Sequence, residues 1–255
     1  MESLLDNHPH IAACAPALLD YQKRDHYEYA GAAGGFIDKY GYTFCRGRIF
    51  DHVEKVNADY QKVSEVFWAT GACLALRAEA FQRAGGFDEG FFAHMEEVDL
   101  CWRLKNMGYR IGFQPDSSVY HVGGGSLPKN NPLKTYLNYR NNLFMLYKNV
   151  PRNKSRRLLF IRLLLDLISA AQMLARRHLK DCRAVLKAHR HFFRDRNRYK
   201  TYIKKNGNRA KNINFVTVYP RSIVIDYFIR GRKTFGTLSS RFREAQVPVQ
   251  AGKGT

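Results

Sequence analysis

Residues 85–111 read GGFDEGFFAHMEEVDLCWRLKNMGYRI, and this stretch decides the fold of the chain. Its apolar side chains recur at steps of mostly three and four residues, which is the period of one face of an α-helix. The members of this stripe are Met95, Val98, Cys101, Trp102, Leu104 and Met107. Gly108 follows them and favours the end of a helix. The pattern predicts an amphipathic helix between residues 91 and 109.

Three carboxylates occupy the first turns of this predicted helix, namely Glu96, Glu97 and Asp99. Their spacing places Glu96 and Asp99 on one face with Arg103, which is predicted to keep one of the two acids ionised. Glu97 points about 100° away from Glu96 and could face a cleft, where a carboxylate can accept a proton from a hydroxyl nucleophile. Spacing alone favours the alternative of a solvated helix start, because the helix dipole attracts acids there.

Apolar runs on both sides of this stretch predict further elements of an α/β fold. In chain order these are a buried strand over residues 11–19, an ordered loop over 30–47, a core strand with a glycine bend over 66–76, a helical turn over 77–83, two short strands over 110–113 and 118–122, and a helix over 133–148.

Two polar groups follow the predicted helix. His121 precedes Gly123 and Gly124, where the backbone can approach a phosphate closely, although a lone histidine is more often a packed polar residue than a ligand. Arg140 and Asn141, with Asn142 beside them, supply one fixed cation and two amides that suit diphosphate oxygens. In isolation, the plain surface of a helix remains the favoured interpretation of these residues.

Charge divides the chain into two parts. The net charge is +20, yet residues 1–150 hold 16 basic and 17 acidic side chains, whereas residues 151–255 hold 26 basic and 5 acidic. This division predicts a globular domain over 1–150 and a basic extension of amphipathic helices over 151–255. Residues 155–178 combine an apolar face with flanking arginine pairs, which fits an interfacial helix on anionic lipid and equally fits a helix that packs in a bundle. The apolar run 158–175 is interrupted by Arg162, Asp166 and Gln172, which would be costly at mid-bilayer, so no membrane span is expected.

Compartment and binding class follow from composition. The five cysteines form no C-x-x-C pair, and residues 1–10 lack the basic and apolar regions of a signal peptide, so a cytoplasmic chain with free thiols is expected. Binding of nucleic acid by the basic extension ranks third among the functions considered, because its charge is mixed with a long apolar face and shows no recognition motif.

Four blocks then combine into a resemblance. Together they resemble the carboxyl-terminal half of family 2 glycosyltransferases, particularly the bacterial rhamnosyltransferase-like members. The blocks are WATGACLALRAEAF (68–81), the 85–111 stretch, VYHVGGGS (119–126) and NYRNNLFMLYKN (138–149). The resemblance covers residues 1–150, and the GGFDE–EE-x-D–W-R block is its specific part.

The resemblance implies an incomplete GT-A-type mixed sheet with flanking helices, a nucleotide-sugar donor and a divalent cation, Mg or Mn. By position in the motif Glu97 would be the catalytic base, with Glu96 and Asp99 beside it in the acid cluster. Asp99 would support the acceptor site or orient its neighbours. His121 would complete the metal shell. The reaction would be an inverting transfer to a glycan or a lipid-linked acceptor in envelope polysaccharide synthesis.

One departure from the family pattern affects activity. The chain has no D-x-D motif, which lies in the amino-terminal, donor-binding half of these enzymes, so that half is expected to be missing and the chain alone could be inactive. A close alternative is therefore a non-catalytic remnant that binds a membrane surface or forms a complex. In either case we expect a peripheral protein at the inner face of the cytoplasmic membrane, with anionic lipid as a partner.

Overall fold

The structure, a computed structural model, describes residues 1–123, 131–206, 215–240 and residue 242. It is a mixed α/β fold with two mixed sheets and flanking helices, which confirms the predicted fold class at that level. The chain divides into two compact units. The first comprises Met1–Gly86, Leu100–Gly123 and Asn214–Thr255, and the second comprises Phe87–Asp99 and Gly124–Ile213. The predicted domain boundary at residue 150 stays a prediction.

The strands are short except for two. They are β1 (Ile11–Asp20), β2 (Gly35–Asp38), β3 (Thr43–Cys45), β4 (Arg48–Ile49), β5 (His52–Val53), β6 (Ser64–Val66), β7 (Ala75–Leu76), β8 (Arg110–His121) and β9 (Val218–Tyr219). The helices are α1 (Glu2–Asn7), α2 (Ala78–Ala84), α3 (Glu96–Asn106), α4 (Pro132–Asn149), α5 (Arg152–Ala175), α6 (Leu179–Asp195), α7 (Lys200–Asn206) and α8 (Ile223–Phe228). Four 3₁₀ turns complete the described elements: Ala58–Tyr60, Glu89–Phe91, Arg196–Tyr199 and Phe235–Thr237.

The core of the first unit is built on β1 and β8. These strands pair in parallel at the centre of a four-stranded sheet of order β6-β8-β1-β7, and both edge strands run antiparallel to their neighbours. The first eight residues of β1 are buried, as its continuous apolar run predicts. A second sheet, of order β5-β4-β3-β2-β9, contains the parallel pair β2 and β9.

Three predicted elements differ from the structure. Residues 110–113 and 118–121 belong to one strand, β8, which ends one residue before the predicted end at 122. Its register with β1 steps from Pro16↔Gln114 to Ala17↔Ser118 and so absorbs the three residues around Pro115 as a bulge. The predicted loop at 30–47 contains the β2–β3 hairpin. The predicted core strand at 66–76 is two short strands, β6 and β7.

Gly35 gives the reason for the break in the 66–76 segment. The Trp68 ring crosses Gly35 so closely that a Cβ on Gly35 would lie 2.1 Å from it, and Trp68 Nε1 donates to the Phe36 carbonyl at 3.0 Å. The chain therefore leaves the sheet after Val66 to pack this indole.

The second unit is mainly helical. α4 begins after Asn131, whose Oδ1 accepts from the Leu133 backbone N–H at 2.9 Å, with Pro132 at the first helical position. Within the unit, α5 turns Arg162 and Asp166 inward, where they form an ion pair of 2.8 Å. His189 of α6 lies 3.3 Å from the same Asp166 carboxylate.

Helix α5 has 24 residues and, among the described residues, is the one helix long and apolar enough to cross a membrane by length and composition. The core helix of a soluble protein can meet the same criterion, so this is weak evidence for a span. The charges of Arg162 and Asp166, on which the expectation of no span rests, face the inside of the unit.

Candidate active site

A strained segment leads into the three acids. Phe92, His94 and Met95 have φ values of +66°, +65° and +72°, a left-handed conformation that costs a residue other than glycine on the order of 1–3 kcal/mol. α3 begins at Glu96, later than the predicted start at residue 91, because these backbone angles cannot continue a helix. Three such residues in a run of four need external support.

Helix α4 supplies that support through Asn141. Its side chain is fully buried, and its Nδ2 lies 2.7–2.9 Å from the carbonyl oxygens of Phe91, Ala93 and His94. Arg140 donates to the carbonyls of Gly90 and Phe91 at 3.1 and 3.0 Å. The two residues thus hold the segment in front of the acids, and the diphosphate contact predicted for them stays a prediction.

Asp99 is held by a buried cation. Lys148 Nζ of α4 lies 2.8 Å from Asp99 Oδ2 and 2.6 Å from Asp88 Oδ2, and Asn149 Nδ2 donates to Asp99 Oδ1 at 2.7 Å. The sequence predicted Arg103 as the cation for this acid cluster, whereas the Arg103 guanidinium donates to the carbonyls of Ala84 and Gly86. Asp99 has no exposed surface, so these contacts make it an anchor for the start of α3.

Glu96 and Glu97 are half-buried and differently placed. One oxygen of each carboxylate, Oε2, is buried and has no hydrogen-bond partner among the described residues. Burial raises the pKa of Glu97 to about 7, repulsion from Glu96 adds to it, and backbone N–H groups oppose it. Burial also raises the pKa of Glu96. A carboxylate with a pKa near neutrality suits a general base.

His94 completes this polar cluster. Burial, with repulsion from Lys134, lowers the pKa of His94, which favours the neutral imidazole. Its Nε2 is buried without a hydrogen-bond partner among the described residues. Three orphaned polar atoms within four residues are uncommon in folded proteins and mark a place where substrate or water completes the bonding. Phe92, beside them, is 81% exposed.

The first unit contains a second candidate group around His121. Its Nδ1 lies 3.3 Å from Glu28 Oε2 without the alignment of a hydrogen bond, and Glu28 is buried and accepts from the Ala30 backbone N–H at 2.6 Å. Gly123 has φ +66°, and a Cβ there would lie 2.8 Å from Glu28 Oε1. Gly124 lies outside the described residues. Within the described chain no three His, Cys, Asp or Glu side chains form a group that could hold a metal ion.

The predicted site residues therefore fall into two groups. Glu96, Glu97, Asp99, Arg140 and Asn141 belong to the second unit, while His121 and Gly123 belong to the first. A common site of Glu97 and His121 stays a prediction.

Sequence reasoning missed four residues of these groups: Glu28, Asp88, His94 and Lys148. Lys148 gives no local signal, because a lysine in the last turn of a helix is normally exposed and is favoured there by the helix dipole. Glu28 lies 93 positions before His121, and the sequence around Glu28 contains no pattern that predicts its contact with His121.

Comparison with known proteins gives partial matches. No protein-family model matches the chain. Over 56 residues, 22% of the chain, it is 45% identical to an N-acetylglucosaminyl-diphospho-decaprenol L-rhamnosyltransferase of Mycobacterium tuberculosis, and this covers 18% of that relative. Rhamnosyltransferase WbbL of Escherichia coli K12 is 38% identical over 56 residues, 22% of the chain and 21% of the relative.

A third relative belongs to the same broad class. The pre-mycofactocin glycosyltransferase of Mycobacterium tuberculosis is 40% identical over 58 residues, which is 23% of the chain and 12% of the relative. The matched segments thus span about a fifth or less of these curated relatives. Part of the chain is related to glycosyltransferases, and this supports a glycosyltransferase-like function.

Proposed function

We propose that the chain takes part in inverting transfer of a sugar from a nucleotide-sugar to a glycan or lipid-linked acceptor. The observation that carries the proposal is Glu97, a half-buried carboxylate with a pKa raised to about 7 and one buried oxygen without a partner. Two of the relatives are named rhamnosyltransferases, so rhamnose is the first sugar to test.

Glu97 would accept the proton of an acceptor hydroxyl as that oxygen attacks the anomeric carbon and the bond to the diphosphate breaks. The clamp of Asn141 on the carbonyls before α3 keeps the carboxylate in place, and burial keeps it basic enough at neutral pH. The neutral imidazole of His94 can donate a hydrogen bond to the hydroxyl of the sugar acceptor or accept one from it. The exposed Phe92 ring offers an apolar face for a sugar to stack on.

For the divalent cation of this proposal, Mg or Mn, Glu28 and His121 would supply one carboxylate oxygen and one imidazole nitrogen, which lie 3.3 Å apart. No third His, Cys, Asp or Glu of the described residues joins them, so water and phosphate oxygens would have to supply the rest of the shell, and the imidazole suits Mn better than Mg. When bound, the cation would neutralise charge on the departing diphosphate. A GT-A arrangement and a place at the inner face of the cytoplasmic membrane belong to the same proposal.

The test compares Glu97→Gln with Glu89→Gln, the same change at an exposed acid of the same segment. Transfer from a labelled nucleotide-sugar to membranes of the source organism should fall at least about 100-fold in the first variant and stay within twofold in the second. Full activity in the Glu97→Gln variant would refute the base assignment.

A non-catalytic role at a membrane surface is the second candidate, and the exposed apolar side chains of α5 favour it. This role would be supported if the wild-type chain binds vesicles but transfers no sugar from any nucleotide-sugar tested.

A further inference from the structure

A cavity of about 960 Å³ lies within the second unit, lined by α5, α6, the 3₁₀ turn Arg196–Tyr199 and α7. Its volume is at the upper end of the range for sites that bind small molecules. Its lining side chains are of two chemical kinds, which we name the apolar floor and the cationic rim. The floor includes Leu159, Phe160, Leu163, Phe192, Phe193 and Ile203, and the rim consists of Arg152, Arg156, Arg196, Lys200 and Lys204.

The rim has no counter-charge of its own. No aspartate or glutamate lines the cavity, and within the described residues none of the five cations has an acid within salt-bridge distance. The adjacent Arg194, by contrast, meets Asp195 at 2.6 Å. Five cations gathered around one opening repel each other and create a positive potential, which an anion would relieve.

An apolar stripe continues from the cavity along α5. The stripe consists of five exposed apolar side chains whose spacing places them on one face of the helix: Phe160, Leu164, Leu167, Ile168 and Leu174. Phe160 is 63% exposed and Ile168 is 65% exposed. Arg162 and Asp166 lie on the buried face. Phe160 belongs both to the cavity floor and to the stripe, so the apolar surface is continuous from one to the other.

We propose that this cavity binds one membrane lipid whose headgroup is a phosphate or diphosphate ester. The five cations hold the phosphate oxygens, the lipid chain lies on the apolar floor beside Phe160, and the α5 stripe contacts the bilayer. Duplex nucleic acid would contact the cations but would leave the apolar floor uncovered, so the combination favours a lipid. The inference rests on the membrane-facing part of the proposed function and not on the chemistry at Glu97.

Co-sedimentation of the full chain with vesicles tests the charged rim. Vesicles of phosphatidylcholine with phosphatidic acid should bind the wild type, and pure phosphatidylcholine should bind it at least about tenfold more weakly. The rim variant Arg152→Gln, Arg156→Gln, Lys200→Gln should lose about 100-fold, since each such cation near an anionic surface is worth about fivefold. The control Lys180→Gln, Arg183→Gln, Arg190→Gln removes the same charge from exposed positions of α6 outside the cavity and should stay within threefold.

The apolar floor has its own test. Phe160→Ser should weaken binding about tenfold at unchanged charge, whereas Leu186→Ser, at an exposed position of α6 outside the cavity, should not. Both positions are exposed, so the helical circular dichroism should be unchanged.

Several outcomes would overturn the site. Equal losses in the rim variant and its control would indicate diffuse attraction. Tighter binding to duplex DNA than to vesicles at matched salt would assign the rim to nucleic acid, and competition by glycerol phosphate at the lipid's own concentration would assign it to free phosphate. Glu97→Gln should bind vesicles like the wild type, so loss of transfer and loss of lipid binding remain separate results.

Discussion

Replacing Asn141 with leucine tests whether the segment before α3 is held from α4. The change keeps the branched shape and the number of heavy atoms of the side chain but removes the amide that lies 2.7–2.9 Å from three carbonyl oxygens. An amide nitrogen has two hydrogens, so about two hydrogen bonds to the carbonyls are lost, and the one that Arg140 Nε donates to Asn141 Oδ1 at 2.9 Å is lost as well. Each buried carbonyl left without a partner costs about 1–3 kcal/mol. We expect the free energy of unfolding to fall by roughly 2–4 kcal/mol.

The same variant should change the chemistry of Glu97. The left-handed residues Phe92, His94 and Met95 relax once the clamp is lost, and water then reaches the carboxylate. Since burial is the main cause of its raised pKa, that pKa should fall from about 7 towards the ordinary value of a glutamate. Urea unfolding measures the stability, and carboxyl carbon NMR titration measures the pKa.

Asn138→Leu is the matched control, because Asn138 is a half-buried asparagine of the same helix for which no such carbonyl contacts occur. It should change the stability by less than about 0.5 kcal/mol. Asn141→Leu with a stability and a Glu97 pKa equal to those of the control would refute the clamp.

Three more perturbations follow from the described contacts. Lys148→Met leaves the Asp88 and Asp99 carboxylates without their buried cation and should lower the free energy of unfolding, measured in urea, by about 3–5 kcal/mol. Adding Asp99→Asn should recover part of that loss. An unchanged free energy of unfolding would contradict the role of Asp99 as an anchor. The pKa of Glu97 is raised in the folded state, so the fold favours the protonated carboxyl; this contribution to stability is complete below the unfolded pKa and is lost as pH rises through about 7. The gain in stability of Glu97→Gln over the wild type should therefore be larger at pH 8 than at pH 4. A difference that does not depend on pH would argue against the burial of Glu97. Gly123→Ala should weaken Mn²⁺ binding in calorimetry, because the new Cβ of residue 123 would displace the Glu28 carboxylate. Gly85→Ala is the control: Gly85 has φ +84° and open space around it, so this variant carries the same backbone strain and should leave Mn²⁺ binding unchanged. Equal Mn²⁺ binding by both variants would speak against a cation at Glu28.

Local sequence signals predicted the elements that depend on local chemistry. The apolar run of β1, the helix α4 and the α2 stop at Gly85, whose φ is +84°, are confirmed because each is specified by neighbouring residues. The β2–β3 hairpin was missed, because two features that support it, the Trp68 ring over Gly35 and the parallel pairing of β2 with β9, depend on contact with distant parts of the chain.

The candidate site shows the same division. The residue types and spacing of Glu96 and Glu97 are visible in the sequence, but the left-handed angles before them and the Asn141 contact are tertiary features. The role of Asp99 depends on Lys148, 49 positions away, so helix spacing led instead to Arg103. Burial, which sets the pKa of Glu97, is a property of the folded surroundings and has no local signature.

The parallel pairing of β2 with β9 has a consequence for synthesis on the ribosome. Ile37 is aligned with Val218, so about 180 residues must emerge before that edge of the sheet is covered. Helices α4 to α6 consist of local contacts and can form earlier in translation. The nascent chain therefore presents an uncovered β-edge until residue 218 has emerged, and we expect chaperones that bind nascent chains to associate with it until then.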